Sequence, residues 1–339
     1  MKKLICCLMV LVASSVMTSC NKRSNVDNQP PTPTYDVTLE AKYLLAEYWG
    51  DEYSPGADNY SIIIAENKFL MDMGGTSLTE GSYYCLDIYA PVTENGNIPA
   101  GTYTLDMTES QKEWTIDAYC SALVVVDGNG NFIPDEEGLE FSEATLVIAE
   151  NYAELTAVIE GKTHHVTYSG AFAKVDSTTG DGFIIHETTL MDDVVIEGDA
   201  ALFAVEEIGT DMRYVYVVEN YGEYGAGDGA MFMLEIAYVE GGNTITGTYN
   251  TADGTLRIGT YDAYGMWGSW YFNLIDGELL YSEYAAIRDG SVTFVQEGET
   301  CTMELNCRDV FGCSIKATMS GRCMSFRVEP EAMLQNLVR

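Results

Sequence analysis

Oxygen-bearing side chains alternate with other residues near position 130, which is the pattern of a calcium-binding loop. In such a loop, alternating side chains bring oxygen ligands to one hard cation. The residues at ligand positions 1, 3, 5 and 9 are Asp127, Asn129, Asn131 and Asp135. The match is incomplete, because Phe132 stands where the turn needs Gly and Gly138 stands where a bidentate Glu belongs. The segment therefore has two interpretations, a weak calcium site or a long hairpin loop rich in turn-forming residues.

A second candidate site is aromatic and lies in loops that contain glycine. Its members are Trp267, Tyr264, Tyr221 and Tyr224. Exposed rings on a β scaffold can stack on the faces of sugars, so these residues form a candidate glycan-binding rim, and the alternative is packing in a core or against another domain. Trp270 and Phe272 alternate with Tyr271 along a predicted strand, which favours core positions for those two.

Four cysteines fall in the last predicted hairpins. They are Cys301, Cys307, Cys313 and Cys323. Alternation places them on the inward face of their strands. Cys307 and Cys313 flank one turn, so a cross-strand disulfide fits if their Cα atoms lie within about 7 Å. Structural zinc sites prefer closely spaced cysteine pairs, which are missing here, so buried thiols and a disulfide are the two interpretations.

The chain carries little that points to hydrolytic chemistry. Neither G-x-S-x-G nor H-E-x-x-H occurs. Of the three histidines, His164 and His165 are neighbours on a predicted strand, so they point to opposite faces and do not chelate one ion together. The 52 acidic residues leave a glycosidase carboxylate pair open without singling one out.

Composition and patterning predict that these residues are positioned by strands. Hydrophobic residues make up 47% of the chain, with 23 tyrosines and 32 glycines among turn-forming segments. Period-two segments recur, including predicted strands at residues 37–48 and 114–126. Runs at residues 61–65 and 123–126 are apolar on both faces and are expected to be covered on both sides. The only helix-like segment is the tail after Pro330.

The sequence also repeats itself. NIPAGTY at residues 97–103 matches NTITGTY at residues 243–249, and Leu-Asp-Ile at 86–88 matches Leu-Glu-Ile at 234–236. The matches keep their order, with drift of the kind that loop insertions produce. A period this long indicates tandem domains rather than a solenoid. The fold class predicted is all-β, with two tandem similar antiparallel β-barrel or β-sandwich domains.

The resulting organisation has six parts. They are a signal peptide at 1–19, a lipidated cysteine and tether at 20–36, a first β domain at 37–175, a connector at 176–192, a second β domain at 193–328 and a tail at 329–339. The tether contains three prolines and at about 3.1 Å per residue would reach roughly 50 Å.

The start of the chain predicts secretion and lipid attachment. Lys2 and Lys3 precede an apolar stretch, and Cys20 follows the small residues Thr18 and Ser19. The stretch is too short to span a bilayer, which needs about 20 residues, but suits a signal peptide. The alternative is an ordinary secretory signal with a chance cysteine.

Charge limits the partners of the mature chain. Removing Lys2 and Lys3 from 17 Lys and Arg leaves 15, which against 52 Asp and Glu gives a net charge of −37. Nucleic acid is excluded as a partner, because its binding needs Lys and Arg to neutralise phosphates. The acidic surface favours solubility, and the alternative is attraction for cations such as calcium.

The cysteine after a signal, the proline-rich tether and the repeated loop ending in Gly-Thr-Tyr resemble envelope lipoproteins of gut Bacteroidota. The resemblance covers Cys20 to about Val328 and implies duplicated all-β domains, in some members calycin-like barrels of unassigned activity. It also implies a lipid anchor at Cys20 in the cell envelope, in the outer membrane. Acidic residues often follow the cysteine in surface-exported members, whereas this chain has Asn21, Lys22 and Arg23, so the periplasmic and surface faces both stay open.

Three functional hypotheses follow. The leading one is a non-enzymatic, membrane-anchored binding or adhesion module for a glycan or an envelope protein, without a cofactor other than calcium at the loop described above. The second is an accessory subunit of an outer-membrane uptake or assembly complex. The third is a glycoside hydrolase, which requires two carboxyl groups about 5–10 Å apart in a cleft.

Overall fold

The structure, a computed structural model, describes residues 34–51, 53–72, 75–93, 96–135, 137–178, 187–208, 212–222, 225–237, 244–262 and 265–326. Within these ranges the secondary structure consists of strands without a helix, which confirms the all-β prediction. No helix in the described part of the chain is long and apolar enough to cross a membrane. Cys20, the signal peptide, most of the tether and the tail lie outside the described residues.

The described residues form 27 strands. The first fourteen are β1 Val37–Ala41, β2 Tyr43–Gly50, β3 Asp58–Ala65, β4 Leu70–Asp72, β5 Gly75–Ser77, β6 Gly81–Ala90, β7 Gly101–Asp106, β8 Thr115–Asp117, β9 Ala122–Val126, β10 Phe132–Ile133, β11 Leu139–Ala149, β12 Tyr152–Ile159, β13 Lys162–Ser169 and β14 Ala173–Asp176. The others are β15 Val194–Ile208, β16 Met212–Val218, β17 Tyr221–Gly222, β18 Gly225–Ala226, β19 Gly229–Ala237, β20 Gly247–Asn250, β21 Thr260–Asp262, β22 Gly265–Trp267, β23 Trp270–Ile275, β24 Glu278–Ala286, β25 Asp289–Glu297, β26 Thr300–Arg308 and β27 Ser314–Phe326.

Two large sheets contain most of these strands. The first sheet has twelve, in the order β1-β13-β12-β11-β7-β8-β6-β3-β2-β14, with β9 pairing β6, β10 and β11 beside this path. The second sheet has nine, in the order β20-β25-β26-β27-β15-β16-β19-β23-β24. The remaining strands form three two-stranded ribbons, β4-β5, β17-β18 and β21-β22.

Each sheet contains parallel strand pairs, and in the first sheet they bring the ends together. In the first sheet β1 pairs with β13 and β14 pairs with β2, both in parallel. Since only Lys42 separates β1 from β2, the two ends of the strand path meet and the sheet is barrel-like. In the second sheet the single long strands β15 and β27 make the equivalent parallel contact, with an irregularity between Gly198 and Ala201.

Alternation along the strands fills the interior of each sheet. In β3, Tyr60, Ile62 and Ile64 are at most 1% exposed and pack with Leu86 and Ile88 of β6. A separate cluster inside the second sheet includes Phe203, Phe232, Leu234 and Phe294. Burying one such side chain contributes about 1.5–3 kcal/mol, so these two clusters are the main source of stability.

The strands predicted to be apolar on both faces are covered on both sides. Ile63, Val124 and Val126 lie on the outer face of the first sheet, in a cluster with Phe69. Phe311, from the turn between β26 and β27, packs on the same cluster, with its ring centroid 4.9 Å from that of Phe69. This cluster therefore joins the first sheet to a turn of the second.

Residues between the two sheets in the sequence strengthen this junction. Thr188 forms bridges with both Met71 and Ala285. Glu187 is 2% exposed and its carboxylate accepts hydrogen bonds from the Arg288 guanidinium, whose pKa is lowered by burial to about 10. The end of the predicted connector is thus part of the packed structure.

The first described residues are held firmly against β13. The Tyr35 ring stacks on His165 with centroids 4.2 Å apart, and the Asp36 amide donates to the Thr163 carbonyl. From Val37 to Ala41, β1 then pairs in register with five residues of β13. His164 faces the interior and bonds the Tyr84 hydroxyl at 2.9 Å, so the two histidines point to opposite faces as predicted.

The repeated Gly-Thr-Tyr loop closes in the same way in both sheets. The Tyr103 hydroxyl donates to the Pro99 carbonyl at 2.8 Å, and the Tyr249 hydroxyl donates to the Ile245 carbonyl at 3.0 Å. Each bond spans four residues and fixes the loop before its strand.

Two predicted strands are broken in the structure. The segment 37–48 divides at Lys42, whose amide leaves the β1 ladder and donates to the Ala65 carbonyl. The segment 114–126 divides into β8 and β9. Both strands pair with β6, β8 at residues 88–89 and β9 at residues 81–85, and residues 118–121 form a turn between them.

Candidate functional site

Two acidic residues occupy matching outward positions, Asp87 on β6 and Glu235 on β19. Leu86 and Ile88 point into the first interior, as Leu234 and Ile236 point into the second. Since successive side chains alternate between faces of a sheet, Asp87 and Glu235 project from the outer face.

At each position, a serine hydroxyl replaces the backbone carbonyl of a neighbouring strand as the hydrogen-bond acceptor. The Asp87 amide donates to Ser121 Oγ at 3.0 Å, and the Glu235 amide donates to Ser269 Oγ at 3.2 Å. Ser121 lies directly before β9, whose pairing with β6 ends at Cys85. Ser269 lies directly before β23, whose pairing with β19 ends at Met233. In both cases the pairing stops two residues before the acidic residue. The backbone therefore opens at the acidic residue, and the hydroxyl satisfies an amide that no strand reaches.

An exposed aromatic residue stands beside each opening, two residues before the serine. Tyr119 is 68% exposed and Trp267 is 43% exposed. The Tyr119 amide donates to Asp117 Oδ1 at 2.8 Å, and next to Trp267 the Gly268 amide donates to Glu235 Oε2 at 3.1 Å. Both rings are therefore carried by backbone that is hydrogen-bonded to the acidic groups.

The first notch is the set Asp87, Asp117, Tyr119 and Ser121. The second notch is the set Glu235, Arg257, Trp267 and Ser269. Asp117 and Arg257 occupy the same position in the two notches. Asp117 follows Ile116, which pairs with Ile88, and Arg257 follows Leu256, which pairs with Ile236.

The two notches differ in charge. In the second notch, Arg257 Nε lies 3.4 Å from Glu235 Oε1, so the carboxylate has a counter-ion. In the first notch, the pKa of Asp87 is raised to about 6, chiefly by burial and in part by the neighbouring Asp117 carboxylate, while the Asn59 amide, which donates to Asp87 Oδ1, opposes the rise. The first notch thus carries two carboxyl groups without a basic partner among the groups that shift Asp87.

Of the four residues in the predicted aromatic rim, Trp267 falls in the second notch. Tyr221 is 46% exposed but lies at the opposite end of β19 from Trp267. Trp267 precedes Trp270, which pairs with Met233, whereas Tyr221 follows Val218, which pairs with Met231 near the start of β19. At about 3.3 Å per residue, the length of the strand separates the two rings, so they do not form one rim. Tyr264 and Tyr224 lie outside the described residues. Trp270 and Phe272 are core residues, as predicted, at 0% and 3% exposure.

The candidate calcium loop has the geometry of a turn. Asp127 Oδ1 accepts the amides of Asn129 and Asn131 at 2.8 and 2.9 Å, and the Asn131 side-chain amide donates to the same carboxylate. These bonds lower the pKa of Asp127 and occupy its oxygens, while Asp135 Oδ1 accepts the Glu137 amide. In the described part of the chain, no three His, Cys, Asp or Glu side chains are grouped as metal ligands.

The cysteines of the last hairpins are free thiols, so the Cys307–Cys313 disulfide is not formed. Cys307 points inward and is 1% exposed, with its thiol donating to the Ser291 carbonyl. Cys313 is not on the inward face, contrary to the prediction, because the β26–β27 ladder ends at Arg308 and Ser314 and leaves it in the turn. Cys301 and Cys323 face the interior as predicted, and their thiols share a hydrogen bond.

Sequence reasoning missed most of both notches. The signal was present, because Asp87 and Glu235 are the polar centres of the two matched tripeptides, 148 residues apart, and Ser121 and Ser269 have the same separation. A repeat aligned through polar positions as well as apolar ones would have identified the serines, and then Tyr119 and Trp267 two residues before them.

No protein-family model matches the chain, and no curated protein matches it. Among solved structures, the crystal structure of dimeric latent PorU from Porphyromonas gingivalis aligns at 14% identity with a TM-score of 0.11, over 85% of this chain and 24% of that chain. This likeness is too slight to indicate a shared fold.

Proposed function

We propose that the chain is a non-enzymatic binding protein of the cell envelope that recognises glycans at its two notches. The observation that carries this proposal is the recurrence, in both sheets, of an exposed aromatic ring beside a serine-supported carboxylate. Aromatic rings present flat apolar faces on which sugar rings stack. Carboxylates accept strong hydrogen bonds from hydroxyl groups.

The notches are the counterpart sites of a duplicated domain. Support comes from the strand pairing: β3-β6-β9 of the first sheet and β16-β19-β23 of the second share one order, and each has the Gly-Thr-Tyr loop with its tyrosine hydrogen bond. The aromatic residue and the serine recur at both sites, while Asp117 is replaced by Arg257. Two sites of related shape and different charge suit the recognition of two parts of one ligand better than a duplicated reaction.

Two sites on one chain also raise avidity. When both notches engage one multivalent ligand, the second binding event is intramolecular, and the overall affinity exceeds that of either site alone. In the proposed arrangement a lipid on Cys20 and the tether at 20–36 hold the chain at the outer membrane. An envelope protein that carries glycans is a ligand of the same class.

The test is a titration of the full chain with a panel of soluble bacterial and host glycans. Loss of one aromatic stacking contact costs about 0.5–1.5 kcal/mol, so Tyr119→Ala and Trp267→Ala should each weaken binding up to about tenfold. The double variant should lose binding to multivalent glycans altogether.

Tyr221→Ala is the matched control, since it removes a ring of similar exposure from the opposite end of β19. It should bind as the unaltered chain does. Equal affinity in all five proteins, the unaltered chain included, would place recognition elsewhere, and absence of binding across the panel, or cleavage of a glycan during the titration, would contradict the proposal.

A further inference from the structure

Lys68 is a nearly buried lysine that crosses from the first sheet to the second. It lies between β3 and β4, is 3% exposed, and its ammonium enters the turn between β26 and β27. Its Nζ lies 3.3 Å from Asp309 Oδ2 and 2.8 Å from Cys313 Sγ, and 5.4 Å from the centre of the Phe311 ring. Three groups of one turn thus surround a single nitrogen.

The turn is held rigidly around that nitrogen. Asp309 Oδ1 accepts the amides of Phe311 and Cys313 at 3.0 and 2.8 Å. Thr188 donates its hydroxyl to Asp309 Oδ2 at 2.9 Å. Asp309 is 3% exposed, so the carboxylate and the thiol are fixed before any reaction occurs.

The nitrogen–sulfur distance is short for a hydrogen bond. N–H···O bonds have a mode near 2.9–3.0 Å, and a bond to the larger sulfur atom is longer than that. The separation of 2.8 Å between Lys68 Nζ and Cys313 Sγ is below even the oxygen value. A nitrogen and a sulfur that are both bonded to one atom between them lie about this far apart.

The other three cysteines of the last hairpins do not point at Cys313. Cys307 points into the interior of the second sheet, and the Cys301 and Cys323 thiols share a hydrogen bond there. Burial raises the pKa of the Cys313 thiol, while the Lys68 ammonium opposes the rise. The side chain is half-buried, which leaves it accessible to a small oxidant.

We propose that Lys68 and Cys313 form a covalent N–O–S bridge, with dioxygen as the oxidant. The Lys68 ammonium gives its extra proton to Asp309. One N–H bond and the S–H bond then break, and N–O and O–S bonds form through one oxygen atom of dioxygen. The second oxygen atom takes the two hydrogens and leaves as water, so the two side chains lose four electrons and dioxygen gains four.

The bridge makes the junction between the sheets redox-dependent. When oxidised, a covalent link joins the segment after β3 to the turn after β26. When reduced, the same residues are held by the ion pair and hydrogen bonds alone. This property is independent of the glycan proposal, since neither notch contains Lys68 or Cys313.

The test is mass spectrometry of the full chain, purified either in air or under anaerobic reducing conditions and then digested. In the aerobic sample we expect a cross-linked pair of peptides that contain Lys68 and Cys313, heavier by one oxygen and lighter by two hydrogens than their sum. A thiol reductant should separate them. The aerobic protein should also unfold at a higher temperature than the reduced one.

Lys68→Arg keeps the charge beside Asp309 but removes the primary amine, and Cys313→Ser removes the sulfur. Both should abolish the cross-linked peptide and the thermal difference between the two preparations, while Cys307→Ser should leave both intact. Unmodified peptides in the air-exposed chain, a direct N–S bond without oxygen, or Cys313 found in a disulfide would each overturn the proposal. These outcomes are read on the unaltered protein, so they do not depend on the variants folding.

Discussion

Asp87 is a carboxyl group that the fold keeps partly buried next to a second acid. The pKa of about 6 in the folded chain lies above the value of about 3.9 expected when the chain is unfolded. Between these two values the folded state binds a proton that the unfolded state releases. The stability contributed by this group is therefore complete below about pH 4 and is lost as the pH rises through 6.

Asp87→Asn should consequently stabilise the protein at neutral pH. The amide retains an acceptor for Asn59 and removes a charge that is buried beside Asp117. The expected gain is on the order of 1–3 kcal/mol near pH 7.5 and shrinks towards zero near pH 4.5. Urea unfolding at both pH values measures it.

Asp106→Asn is a control with the opposite sign. The carboxylate of Asp106 accepts hydrogen bonds from Thr108 and Ser110, which hold its pKa well below the usual range. Its replacement should lower stability at neutral pH and matter less in acid. A pH-independent effect of either substitution would contradict these assignments.

At the scale of elements, the start of β7 depends on a glycine because of a neighbouring side chain. A Cβ added to Gly101 would lie 2.1 Å from the Trp114 ring. Trp114 packs on the core of the first sheet beside Tyr103, with ring centroids 5.2 Å apart. The glycine therefore leaves the space in which the indole closes the end of the sheet.

Gly101→Ala should lower the free energy of unfolding by about 1–3 kcal/mol, the usual cost of an overpacked core. Gly222→Ala should change it by no more than about 0.5 kcal/mol, because no atom lies within 4 Å of a Cβ added there. Chemical denaturation of both variants gives the comparison. Equal stabilities would mean that the Trp114 ring moves away at no cost.

The features that depend on neighbouring residues in the sequence were predicted from the sequence. Period-two alternation identified the strands, the core positions of Trp270 and Phe272, and the opposite faces of His164 and His165. The closure of the sheets was not predictable, because the parallel pairing of β1 with β13 joins residues more than 120 positions apart. The contact of Asp87 with Ser121 depends on the register of β6 and β9, which no local pattern specifies, so the signal for the first notch lay in the 148-residue repeat alone.

The whole molecule combines a strongly negative net charge, two large sheets and the proposed lipid on Cys20. Cys20→Ser should move the protein from the membrane fraction to the soluble fraction, because stable anchoring depends on acyl chains at about 0.8 kcal/mol for each buried methylene. Fractionation of cells that express each variant tests this. Cys120→Ser, which removes an exposed cysteine of the first sheet, should stay in the membrane fraction. Release of both variants, or of neither, would contradict lipidation at Cys20.

The parallel pairing of β1 has a mechanical consequence for a protein that is held by its N-terminus. When the chain is pulled at Tyr35 along the axis of β1, the strand must slide past β13 rather than peel from it. The backbone hydrogen bonds of all five residue pairs, from Val37–His164 to Ala41–Tyr168, are then loaded in shear at the same time. The first sheet is thus built to resist tension at the point where a tether would apply it.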